Sequence, residues 1–548
     1  MTALDDLAAS YTGEFARLDP CQAAMMGIAG QESALTDYGP AGWAARTGLA
    51  RRTLSALTAL PVAGERDRIA ARVLRERLEV ELALADARIP DADVNVVDGP
   101  LQRLRQAVEL LDQGERTVWP DVTARLRGIP AALAGHRESL GAARREGRVA
   151  ARRQVAGTAG QCAPTAGYFA ELAARCPDDR LRPDAERAAR AAGAALTGFA
   201  AFLTGELLPY APERDAVGRD RYALEVRKHL GSVLDLEETY AWGWAELARI
   251  EREMAELGGE ILPGEPLPAV FAALDADPAH QVRGAEAFRR HLQELAERAL
   301  DELAGVHFDI PPALRRIECR IPPTGAGGIS YLAPAEDLSR PGQVWWTVPG
   351  PDAVIPTWTV PATMYHEGVP GHHLQLGGTV LNPALTRFQR VASELHVGHA
   401  EGWGLYAEQL MAELGGFRHP AHRLGALASG QQLRAARVVL DIGLHLELEI
   451  PRGTGFHEGE RWTRELGREF LGGRVPEGAA YLDFEIDRYL GLPGQALAYK
   501  VGERVWLRAR EAQRRAKGAA FDPKAFHRDA LGLGPMGLDL LTAELARL

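Results

Sequence analysis

Residues 364–375 read Met-Tyr-His-Glu-Gly-Val-Pro-Gly-His-His-Leu-Gln. His366 and Glu367 open like H-E-x-x-H, in which two histidines at i and i+4 share a helix face and bind one metal ion. Here the i+4 position is Pro370, and the next histidines, His372 and His373, come at i+6 and i+7. On an ideal helix, at about 100° per residue, His366 and His372 would lie roughly 120° apart. His366 and His373 would nearly eclipse, but about 10.5 Å apart along the axis. Zn–N bonds of about 2.0–2.1 Å allow neither arrangement. Pro370 removes a helical hydrogen bond and its ring opposes the carbonyl of His366. Gly371 takes backbone angles that other residues resist. The spacing therefore predicts a bulged turn over residues 368–371. Such a turn brings His372, or with more looping out His373, to the place of an i+4 ligand.

A catalytic zinc needs a third protein ligand and an open position. Residues 393–410, SELHVGHAEGWGLYAEQL, supply Glu394, Glu401 and Glu408 at i, i+7 and i+14, one face of a helix, with Trp403, Leu405 and Tyr406 nearby. Two histidines and a glutamate form a known hydrolytic zinc set. Five of the fifteen histidines fall between His366 and His399. A lone His-Glu pair is commonplace, and glutamates at sevens usually mark the wet side of a helix. The combination of histidines, a Pro-Gly turn and a glutamate helix is what points to a metal.

These residues need a scaffold. ERDRIAARVLRERLEVELALADARI, RPDAERAARAAGAALTGFAAFLTGELLP and EETYAWGWAELARIEREMAEL carry apolar residues at helical spacing, and Pro- and Gly-rich stretches separate them. After about residue 305 the texture changes. RRIECRIP alternates as a strand does, and QVWWTVPG is β-prone, with a Gly- and Pro-rich run between them. The expected fold is mainly α: a large helical body around a deep cleft, with a small antiparallel β-sheet beside the active-site helix. Residues 1–305 would form a helical cleft wall and residues 306–548 the catalytic region. QVWWTVP is a candidate edge for an extended peptide.

Composition bounds the rest. The 548 residues carry 63 Lys and Arg against 74 Asp and Glu, a net charge of −11. An acidic chain lacks the basic face that a nucleic acid requires. The start, MTALDDLAAS, has no basic-then-apolar leader pattern. The uncharged run at residues 191–205 is too short to span a bilayer and reads as a buried helix. Four scattered cysteines form no disulfide framework. A cytoplasmic protein without membrane or nucleic-acid partners is the expectation.

H-E-x-x-P-G-H at residues 366–372 and E-G-W-x-L-Y-A-E at residues 401–408 resemble the bacterial family catalogued as domain of unknown function 885. PGQALAYKVG at residues 493–502 and FHRDALGLGPMGLDLL at residues 526–541 resemble it too. The family is similar in plan to helical zinc peptidases such as thimet oligopeptidase, angiotensin-converting enzyme and the thermostable carboxypeptidases. That resemblance implies Zn2+ held by His366, His372 and Glu401, with Glu367 as general base. It implies Tyr499, in the late segment, as donor to the oxyanion. Glu408 and Asp441 are candidates to orient a ligand imidazole. Arg437, Asp441 and His445 share a helix face, and Arg437 with Asp441 reads equally as an ion pair. The implied activity is hydrolysis of peptide or amide bonds in short peptides. A metal-dependent amidase or lyase acting on one metabolite, and a binding protein with a relict cleft, are the other readings.

Overall fold

The computed structural model describes residues 2–322, 328–475 and 478–548. Residues 323–327, part of the Gly- and Pro-rich run expected between the strands, lie outside the described residues. The chain is mainly helical and divides into two compact units. One comprises Met1–Leu224, Thr386–Phe388 and Phe484–Pro493, and the other Glu225–Leu385, Gln389–Asp483 and Gly494–Leu548.

In the first unit, α1 (Trp119–Arg145), α2 (Arg152–Ala174) and α3 (Arg182–Phe202) follow one another. α3 packs against both of the others. Leu126, Ile129 and Leu133 of α1, Phe169 and Leu172 of α2, and Leu196 and Phe199 of α3 form their common core. They recur every three to four residues, the stripe that turns one helix face inward. The uncharged run expected to be a buried helix buries only that stripe. Arg182–Tyr210 is long and apolar enough to cross a membrane, and 33% of its most apolar window is buried.

In the second unit, α4 (Leu236–Ile261) starts at Asp235, whose side chain accepts the Glu238 amide at 2.9 Å. Glu237 and Glu238 add negative charge where the helix dipole is positive. There follow β1 (Gln281–Arg283), α5 (Ala285–Leu303), β2 (Ile317–Arg320), β3 (Ile329–Leu332), β4 (Gly342–Trp346) and β5 (Val354–Pro356). β1 and β5 pair antiparallel, with Val282 opposite Ile355. The other sheet has the order β2-β4-β3. β3 runs antiparallel to β4, but β2 runs parallel to it, with Ile317 opposite Gly342. The expectation of an antiparallel sheet is therefore corrected: the connection from Arg320 to Gly342 is long enough for a parallel crossover, and β3 lies within it. QVWWTVP also loses its expected role, because β4 is the central strand and both its edges are paired. The outer edge of β2 is covered by Gln293 of α5, which bonds Ile317 O and the Cys319 amide, each at 3.0 Å.

Beyond the sheets come α6 (Val360–Glu367), α7 (His372–Leu381), α8 (Val397–Glu413), α9 (Leu433–Leu446) and α10 (Ala498–Lys517). α8 and α10 touch backbone to backbone. A Cβ at Gly502 would collide with Gly398 O and stand 2.6 Å from Gly402 Cα. α9 continues from a wider helical turn, Ala426–Gln432, and packs on α4.

Candidate metal centre

The break between α6 and α7 solves the spacing problem. The Gly368 amide bonds Met364 O at 2.9 Å, the ordinary helical step. The Gly371 amide instead bonds Tyr365 O at 3.0 Å, six residues back, and the His373 amide bonds Gly368 O, five back. Two extra residues are thus looped out, and the Val369–Pro370 peptide among them is cis. A Cβ at Gly371 would collide with the carbonyls of His366 and Tyr365, and one at Gly368 would lie 2.6 Å from Met364 O. Only glycine fits either place. Trp403 of α8 holds the turn from outside, donating its indole N–H to Pro370 O at 2.8 Å.

Looping out two residues puts His372 where an i+4 histidine would stand. The His366 and His372 ring centroids are 4.7 Å apart. Glu401 Oε2 lies 3.2 Å from His366 Nε2 and 3.6 Å from His372 Nε2. One donor atom from each of the three lies within 4.8 Å of the others. His373 points elsewhere: its Nδ1 meets the Tyr331 hydroxyl and its Nε2 meets Leu314 O, both at 2.9 Å. Of the three glutamates expected on one helix face, Glu394 precedes α8 and is exposed. Its place in the stripe is corrected, because the chain takes a tighter turn over Ala392–Leu395 before α8 begins.

Glu408, two turns after Glu401, accepts from His366 Nδ1 at 2.8 Å, the carboxylate–imidazole contact that orients a ligand. Asp441 does not share that role, since its Oδ2 receives the Gly494 amide at 3.0 Å. His445 Nε2 lies 3.9 Å from the other Asp441 oxygen. Gly404 brings the His366 ring close to α8, for a Cβ there would lie 2.6 Å from the ring. His372 departs from the usual ligand pattern: its Nδ1 is buried with no hydrogen-bond partner among the described residues. His399 serves the scaffold, with Nδ1 3.0 Å from Gln375 Nε2 and its ring against Trp506. Burial lowers its pKa to about 3. His396 is buried just before α8.

The electrostatics favour a cation. Burial alone would lower the pKa of His366, but hydrogen bonds to Glu401 and Glu408 outweigh it and raise the value to about 10. Burial would raise Glu401, yet the two imidazoles hold it well below the usual carboxylate range. Two nitrogens, a carboxylate oxygen and no thiolate make a donor set that could hold a divalent metal ion. Glu367 is outside the three-residue group, and its carboxyl has no hydrogen-bond partner among the described residues. Burial raises its pKa, against the neighbouring imidazoles. The Tyr499 ring stacks on His366, centroids 6.4 Å apart, and its hydroxyl has no partner among the described residues. Arg434 and Arg437 lie over that ring, at 5.5 and 5.1 Å. Nothing local in the sequence marks Tyr331 or Arg434 as neighbours of the site, since one lies in an irregular run and the other among many arginines. Gly404 did carry a signal: a residue without a side chain, one helical turn after Glu401, leaves room on the ligand-bearing face.

Residues 20–545 match the model of a family described as bacterial protein of unknown function (DUF885). No curated protein matches the chain. Among solved structures, a Colwellia psychrerythraea protein provisionally described as a lipoprotein is similar at a TM-score of 0.85 and 22% identity, covering 99% of this chain and 98% of that one. A Shewanella oneidensis protein of unknown function, also provisionally described as a lipoprotein, gives a TM-score of 0.73 and 16% identity over 100% of both chains. These likenesses show a shared fold. With the family match spanning nearly the whole chain and its two histidine- and glutamate-bearing motifs meeting at one centre, the chain belongs to the bacterial DUF885 family.

Proposed function

We propose that the protein is a zinc-dependent hydrolase that cleaves peptide or amide bonds in short peptides, similar in plan to the helical zinc peptidases. The observation that carries this reading is the convergence of His366, His372 and Glu401 beside Glu367, whose carboxyl accepts no hydrogen bond among the described residues. Zinc, when bound by those three, would supply Lewis acidity and a water of lowered pKa. Glu367 would take a proton and return it to the leaving amine. The Tyr499 hydroxyl is available to donate to the developing oxyanion. Glu408 fixes the tilt and tautomer of His366. For an extended substrate the support comes from β3: no strand pairs with its outer edge among the described residues, and its Tyr331 ring is 6.3 Å from His372. A peptide backbone could add there as a further strand.

Metal analysis of the purified chain together with digestion of a peptide library tests the proposal. About one zinc per chain and cleavage abolished by a chelator are expected. Turnover of a small metabolite in place of peptides would favour the amidase or lyase reading. Full zinc with no turnover of either would favour the binding protein. The cytoplasmic location expected from the sequence is proposed against the lipoprotein description of the two solved relatives, and cell fractionation separates the two.

A further inference from the structure

Arg434 lies in the first turn of α9, directly after the wide turn Ala426–Gln432. One of its amino groups donates to Ser429 O. Its Nε is buried with no hydrogen-bond partner, and no carboxylate lies at ion-pair distance from it among the described residues, although its charge reaches the Glu367 carboxyl. The neighbouring cations differ. Lys500, next in sequence to Tyr499, is neutralised by Glu503 and by Glu246 at 3.0 Å. Arg437, over the same ring, is fully buried, whereas Arg434 is partly exposed.

A partly exposed guanidinium with no carboxylate at ion-pair distance can take an anionic acceptor on its exposed side. Arg434 stands 5.5 Å from the Tyr499 ring, which in turn stands 6.4 Å from the His366 ring. The guanidinium is therefore no more than about 12 Å from the metal ligand, about three extended residues at roughly 3.4 Å each. We propose that Arg434 receives a carboxylate of the substrate, so that the enzyme selects short peptides with a free acid within about three residues of the scissile bond. This rests on the hydrolase reading above and names its substrate class. The acid is either the C-terminal carboxylate or an acidic side chain; both offer the guanidinium the same two-oxygen acceptor.

The test uses the full zinc-loaded chain and three matched peptides: one with a free C-terminus, one C-terminally amidated, and one amidated but carrying glutamate near the cleavage point. Wild type should favour an acid-bearing peptide over the plain amide by roughly 10–100-fold in kcat/KM, the worth of charge-assisted hydrogen bonds. Which of the two acid-bearing peptides is favoured identifies the source of the carboxylate. Arg434→Gln should collapse that ratio towards one, and Arg434→Lys should retain part of it. The ratio is internal to each variant, so a general loss of activity leaves it unmoved. An unchanged ratio in Arg434→Gln would overturn the proposal, as would equal rates on all three peptides in wild type. If wild type cleaves none of them, the hydrolase reading fails, and calorimetric binding of the same peptides tests the arginine alone. An acid-over-amide preference that Arg434→Gln removes sustains the site; equal binding, or none, overturns it.

Discussion

His366 is gripped on both ring nitrogens, by Glu408 at 2.8 Å and Glu401 at 3.2 Å, and His373 is gripped just as fully by groups that are not metal donors to the same centre. The two should therefore respond differently to removal. His366→Ala is expected to abolish stoichiometric zinc binding. His373→Ala should keep one zinc per chain and lower the melting temperature, since it leaves a buried hydroxyl and carbonyl short of partners at about 1–3 kcal/mol each. Elemental analysis beside thermal melts separates these outcomes. Glu408→Gln should weaken zinc affinity by roughly 10–100-fold, read by chelator competition. Glu367→Gln keeps size and loses basicity. It should lower kcat by roughly 10²–10⁴-fold with zinc content unchanged, and Tyr499→Phe by roughly 10²–10³-fold. Near-normal turnover in a fully loaded Glu367→Gln protein would remove Glu367 as the base.

At the scale of elements, the α6–α7 break and the α8 helix form one device. The looped-out turn carries His366 and His372, and α8 supplies Glu401, Glu408, the Trp403 bond to Pro370 O and the space at Gly404. Gly371→Ala should shift this turn, because its Cβ would collide with two carbonyl groups. Both zinc binding and the melting temperature should fall. Gly378, inside α7, has open space within 4 Å of where a Cβ would stand. Gly378→Ala should leave zinc binding intact and stabilise the chain by up to about 1 kcal/mol, the usual helical gain over glycine. Equal zinc binding by the two variants would mean that the turn tolerates the side chain and that the centre does not depend on its geometry.

At the scale of the whole molecule, stability should depend on pH through a group far in sequence from the metal centre. Burial raises the Glu81 carboxyl from 4.5 to about 7, partly opposed by the charge of Arg46. Between those two values the folded chain holds a proton that the unfolded chain releases. The contribution is therefore fullest below pH 4.5 and is lost as pH rises through 7, by at most about 3 kcal/mol. Glu81→Gln, which stays neutral, should gain stability relative to wild type as pH rises from about 4.5 to about 8. Urea melts at both ends of that range would show it, and a difference that does not grow with pH would place the proton elsewhere. Chelation provides the companion measurement: it should lower the melting temperature of the zinc-loaded wild type but not of His366→Ala, because only a ligand bound by the folded state stabilises it.

The helical class, the strand segments and the need for a broken helix at Pro370 were legible in the residues alone, because each follows from local periodicity or from the geometry of one turn. The same reading narrowed the ligands to a few histidines and glutamates. It favoured His372 over His373 as needing less looping out, but the number of residues that loop out is not written in the local sequence. The Gly371 bond to Tyr365 O answers that only once Trp403 of α8 is seen holding Pro370 O. Nor could it rank Glu408 above Asp441 or see that β2 and β4 run parallel, since helix-to-helix contact and strand pairing join residues far apart in the chain. Arg434 is the clearest case. Among many arginines its type carries no information, and only its tertiary neighbours, an aromatic ring and no carboxylate at ion-pair distance among the described residues, set it apart.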